Sequence, residues 1–222
     1  MLTRRHIRIK VMQSVYSFTL GKQHKLEEEV QFFKESVEQT FNLYLLLLGL
    51  VKSLQCRALE QLETFRKHNI QNEEQFIVLQ KFSKNKVLVF INEHESLEKH
   101  LNNKKLINWD LEFKYLKELY EVITNSTVFK TYLALENPST EDDLRLVAKL
   151  FKDHIANSNY LYEYVEDHRL TWIDDLPMVN TFLLKMLKHI DIDKPQSITF
   201  PRPSKNKEDT DFGIQLLEKV IS

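Results

Sequence analysis

Between residues 27 and 68 an apolar side chain returns every three or four positions: Phe32, Phe33, Val37, Phe41, Leu45, Leu48, Val51, Leu54, Ala58 and Leu62. Gly49 is the one interruption. That period puts these residues on one face of a helix, so the run reads as helix rather than strand. A helix of this length exceeds the usual globular size and must be packed along much of its course. The rest of the chain agrees. Gly 3 and Pro 5 are too few among 222 residues for the tight turns of a sheet-rich fold. Hydrophobic residues at 42%, with Phe 14, are enough to drive collapse around a core. The expected class is all-α.

Shorter helices are expected on both sides of the long one. Over residues 3–20, Thr3 is a candidate cap, and Ile7, Val11, Val15 and Phe18 form an inward stripe. His6, Lys10, Gln13 and Ser17 form the opposite, polar stripe, and Gly21 marks the stop. VLVFI at 87–91 has strand propensity but no second strand to pair with, and is read as helix. Further helices are expected over 109–124, 127–135, from a capping box of Ser139 and Asp142 onward, over 160–168 and over 176–189. Asp174 and Asp175 are assigned to the cap or first turn of the last of these, with Pro177 also in its first turn. Trp109 and Trp172 are read as core anchors between helices. Pro195, Pro201 and Pro203 amid polar groups mark a linker over 191–209.

Lys+Arg 31 against Asp+Glu 32 gives a net charge of −1, which excludes a uniformly basic coat and leaves room only for a local polyanion site. Such a patch stands at the start, where Arg4, Arg5, Arg8, Lys10, Lys22 and Lys25 precede the first acid, Glu27. A helix N-terminus adds free amides and positive potential at the same place. The patch fits nucleic acid, a solvated helix face, or an acidic protein or membrane surface. Lys99 and Lys152 lie in mixed charge and are expected to contribute little. The single Cys56 cannot make an internal disulfide or a thiolate zinc cluster. The eight histidines form no HExxH, His94 and His100 read as a solvated face, and three scattered glycines preclude a phosphate loop. No enzyme chemistry and no cofactor are expected. The apolar run 43–51 is about half of what a bilayer span requires and the first residues lack a secretory pattern, so a cytoplasmic chain is expected.

RRHIRIKVMQSVY, residues 4–16, resembles the opening RRxxRxxAxQxLY of the NusB family of transcription antitermination factors. Arg4, Arg5, Arg8, Gln13 and Tyr16 match, while Val11 replaces the usual Ala and Val15 the usual Leu. With a long inserted helical region and the TWIDD segment, the chain looks similar to the extended NusB-like proteins of the Bacteroidetes. The resemblance implies a NusB-like helical bundle over 1–190 carrying that insertion, a linker over 191–209 and the start of a further helix over 210–222. It implies a non-enzymatic factor of ribosomal RNA transcription that binds boxA-like RNA together with a ribosomal small-subunit protein in the transcription elongation complex, away from membranes. Arg4, Arg5 and Arg8 would contact RNA, with Lys10 added to them on charge alone, and Gln13 and Tyr16 would serve packing or partner orientation. The family's closing INExVExAK and FVNGxLxxI segments are missing before Ser222, which gives the expectation of a fragment. The alternative, drawn from the near-zero charge and the many Tyr and Phe, is a helical protein-interaction scaffold without intrinsic RNA binding.

Overall fold

The computed structural model describes residues 2–21, 25–68, 71–103, 109, 112–201 and 207–221. These residues form eleven α-helices and, among them, no strand. In chain order they are α1 (Arg4–Leu20), α2 (Leu26–Lys67), α3 (Glu73–Ser83), α4 (Lys86–Asn92), α5 (Glu95–Asn103), α6 (Phe113–Asn125), α7 (Thr127–Leu133), α8 (Thr140–Leu150), α9 (Asn159–His168), α10 (Thr171–Leu187) and α11 (Lys207–Ile221). A π-helical turn, Phe151–Ile155, continues α8, and Pro195–Ser197 form a 3-10 turn. The apolar repeat over 27–68 is thus one helix of 42 residues, about 63 Å long at 1.5 Å per residue. VLVFI lies in α4, as helix. Lys22 falls outside the described residues.

The chain divides into two compact units. Unit 1 comprises residues 1–43, 165–179 and 200–222. Its core gathers Leu2, Ile7 and Val11 from the first helix and its approach, Phe33 and Val37 from the second, and Leu217 from the last. Gly213 lets α11 come close: a Cβ there would lie 2.3 Å from Phe33 Cζ and 2.9 Å from Ile7 Cγ2. Both of those side chains are fully buried. Trp172 is the anchor expected of it, buried and donating its indole N–H to the Gln39 carbonyl at 2.8 Å.

Unit 2 comprises residues 44–164 and 180–199. Tyr44 to Leu48 are all 1% exposed or less, so this part of the second helix is enclosed on every side where the sequence is apolar without pause. Trp109 donates to the Leu46 carbonyl at 2.8 Å. The capping box at Ser139 is present, with Ser139 Oγ accepting from the Asp142 N–H and Asp142 Oδ2 accepting from the Ser139 N–H. Buried Asp143 accepts from Tyr132 Oη at 2.6 Å and from the Lys86 N–H at 2.8 Å, while buried Asn85 caps α4 through the N–H groups of Val87 and Leu88.

Two sequence expectations need correction here. Helix α10 begins at Thr171, five residues earlier than expected, so Pro177 stands in its interior and Asp174 and Asp175 lie in its first two turns. The proline is tolerated there without ending the helix, although it withdraws one intrahelical N–H. The stretch after residue 190 is not a uniform connector either. Ile190 and Ile198 are each 3% exposed in unit 2, Tyr44 Oη donates to the Thr199 carbonyl at 2.8 Å, and the His94 ring donates to the Pro195 carbonyl at 2.9 Å. Prolines punctuate this segment, but the two isoleucines fix it. Residues 202–206 lie outside the described residues, and Asp209 already belongs to α11.

Candidate nucleic-acid interface

At 100° per residue, the first helix presents Arg4, Arg8, Met12, Arg5, Tyr16 and Leu20 within a single arc, and each of them is exposed. Met12, Tyr16 and Leu20 show about two-thirds of their surface to solvent. The first turn of α1 carries no acid of its own, so among the helix's own residues none offsets the positive end of its dipole. Thr3 caps the helix in an unusual way: its backbone N–H donates to His6 Nδ1 at 3.2 Å, and its hydroxyl lies 2.8 Å from the same nitrogen. Partial burial holds the His6 pKa below its ordinary 6.5, with the Arg5 and Lys10 charges adding to the effect and Asp175 opposing it. A neutral imidazole is what the cap requires, because Nδ1 must accept.

The arginines differ in what holds them. Arg4 Nε donates to Asp209 Oδ1 at 3.2 Å, an ion pair whose arginine remains 65% exposed. The guanidinium carbon of Arg4 lies 5.6 Å from the centre of the Phe212 ring, and that of Arg8 lies 5.8 Å from it. One aromatic ring therefore orients two guanidinium forks a helical turn apart. Among the described residues, Arg5 and Arg8 make no ion pair. Asp209 and Phe212 were not anticipated as parts of this surface; they come from residues more than 200 positions away in sequence.

Lys10 does not belong to it. Lying two residues after Arg8 puts it 200° around the helix, and it is 1% exposed. Its ammonium donates to Asp175 Oδ2 at 2.8 Å, and Thr40 Oγ1 donates to the same oxygen at 2.6 Å. Burial pushes the Lys10 pKa down, with Asp175 opposing. Gln13, on the flank, donates to Asp174 Oδ2 at 2.5 Å and so serves packing within unit 1, as expected. Tyr16, expected to pack or orient a partner, stands in solvent.

The remaining titratable groups offer less. His94 spends both ring nitrogens on Pro195 and the Leu97 N–H, and half-buried Cys56 donates to Asn92 Oδ1 at 3.4 Å. Among the described residues no group of three or more His, Cys, Asp or Glu is arranged to hold a metal ion, and no helix is long and apolar enough to cross a membrane. No family model, no characterised protein and no solved structure matches the chain.

Proposed function

We propose that the exposed arc of α1 binds RNA, with Arg4, Arg5 and Arg8 on phosphates. The observation that carries this reading is the pair of exposed arginines, Arg5 and Arg8, without an ion-pair partner among the described residues and in line with exposed Tyr16. Arginine presents a rigid fork of donors that matches a phosphate, and a solvent-facing tyrosine provides a stacking platform for an unpaired base. With the family resemblance of residues 4–16, the proposed ligand is boxA-like RNA of a ribosomal RNA transcript. A ribosomal small-subunit protein and the elongation complex would be the partners, in a cytoplasmic, non-enzymatic antitermination factor. The test is titration of boxA-like and scrambled RNA at several salt concentrations with wild type and single Ala variants of Arg4, Arg5 and Arg8. Removing one phosphate-binding side chain should lower the salt slope by about 0.7. Lys99→Ala is the control, since Lys99 Nζ lies 3.7 Å from Glu95 on an exposed face. Binding unaffected by all three arginine variants would refute the assignment.

A second reading has its own observation. Met12, Tyr16 and Leu20 form an exposed apolar row at i, i+4 and i+8, of the kind that seats a partner protein. Capture of partners from extracts that survives complete ribonuclease treatment, without RNA enrichment before it, would favour the scaffold.

A further inference from the structure

The last turns of α8 and α10 carry a second concentration of positive charge, in unit 2. A cleft of about 460 Å³ is lined by Arg145 and Lys149 of α8, Lys152 of the π turn, and Lys188 and His189 just beyond α10. Leu144 and Ala148 add apolar surface to the same lining. The acid that joins them, Glu141, is engaged: Arg145 bridges it at 3.0 Å and Asp142 at 3.7 Å. His189 Nδ1 is spent on the Lys185 carbonyl. Lys149, Lys152 and Lys188 are exposed and make no ion pair among the described residues.

Helix C-termini attract cations, and His189 answers that need at the end of α10. The same effect does not account for Lys149, because the helical backbone runs on through the π turn to Ile155. Three like charges share one cleft in a chain whose acids outnumber its bases, which is unfavourable until an anion arrives. The unpaired cations are also spread along the cleft. Lys149 and Lys152 follow one another at a helical rise of about 4.5 Å and Lys188 adds a third from beyond α10, which suits successive phosphates of a strand rather than a single small anion. The apolar lining offers a surface for ribose or a base face.

We propose that this cleft is a second contact for RNA, taking the phosphodiester backbone of a single strand on Lys149, Lys152 and Lys188. The proposal rests on the RNA-binding reading of the chain, and it reverses the sequence expectation that Lys152 is a bystander. Its test is titration of the full chain with a fluorescein-labelled 24-nucleotide single-stranded RNA. Wild type, a Lys149→Ala/Lys152→Ala/Lys188→Ala variant and an Arg5→Ala/Arg8→Ala variant are compared from low to moderate salt. All five positions are exposed, so circular dichroism should be unchanged. The triple variant should lose about tenfold or more in affinity and about 2 in salt slope, at about 0.7 for each of three lysines. The three lysines should also be protected from acetylation when RNA is bound to wild type. Loss confined to the arginine variant, with lysine acetylation unaltered by RNA, would overturn the cleft and leave the α1 reading standing. Loss confined to the lysine variant would support the cleft and refute α1. Inorganic tripolyphosphate binding as tightly as the RNA would overturn the strand assignment, and a wild type that binds no RNA would overturn both.

Discussion

Replacing Gly213 by Ala should destabilise unit 1 even though it improves the helix that carries the substitution. In a helix interior, glycine to alanine is worth about 1 kcal/mol in favour of the variant. Against this stands the space. The new Cβ would sit 2.3 Å from Phe33 Cζ, 2.9 Å from Ile7 Cγ2 and 3.0 Å from Phe33 Cε1, whereas carbon atoms rest at about 3.5–4.0 Å. Phe33 is fully buried in the cluster that holds Val37 and Leu217, so its ring has little room to retreat. Overpacking of this kind costs about 1–3 kcal/mol, and an overlap of more than about 1 Å belongs at the upper end. The net expectation is a loss of about 1–2 kcal/mol, read as amide exchange in α1 and α11 about 5–30 times faster than in wild type. Phe33→Leu in the same chain should relieve the overlap, so the double variant should be more stable than the sum of the single changes by about 1 kcal/mol. Slower exchange in Gly213→Ala than in wild type would show that propensity alone is at work, and would refute the close approach of α11.

Further outcomes follow from polar groups of the same unit. Lys10→Met leaves the Asp175 carboxylate buried with Thr40 alone and should cost about 3–5 kcal/mol in urea unfolding, whereas Lys10→Met with Asp175→Leu should recover most of that loss; equal losses in both variants would count against a buried pair. His6 has a folded-state pKa below 6.5, so the unfolded chain binds its proton more readily. The stability it confers is complete above pH 6.5 and declines as pH falls from there toward the lowered value. His6→Gln keeps an acceptor for Thr3 and should remove that part of the decline as pH falls below 6.5; identical pH slopes in the two proteins would refute the histidine cap.

The helical class and the long second helix were readable because period and composition act locally and agree with each other. The Lys10–Asp175–Thr40 cluster was not read, although its signal is present. Asp175 occupies a core position of the apolar series Trp172, Leu176 and Val179, Lys10 lies between Ile7 and Ser14 on the buried arc, and Thr40 falls between Val37 and Tyr44. A polar residue at a core position demands a partner from elsewhere, and three such demands satisfy one another here. Treating Lys10 as one more surface cation followed from its polar neighbours on the wheel, His6, Gln13 and Ser17; only the fold shows that this side of α1 is buried at Lys10. The Phe212 ring beneath two arginines had no local signal, since the pairing joins residues that only the fold brings together. The basic cleft was hidden for the same reason: Lys149 and Lys188 are unremarkable until α8 and α10 are placed.

The way the chain alternates between its two units limits how it can be dissected. Three of its four crossings, after residues 43, 164 and 179, fall inside α2, α9 and α10, and only the one after 199 falls between helices. A gene truncation seeking a joint between helices would find it at that last crossing. Cutting there would not trim a tail. It would remove α11, whose Leu217 is fully buried and whose Gly213 seats against Ile7 and Phe33, and leave the arginine helix with its apolar side uncovered. A shortened protein ending near residue 200 should therefore lose the α1 surface and expose unit 1's core to aggregation, while the residues of unit 2 remain complete in sequence.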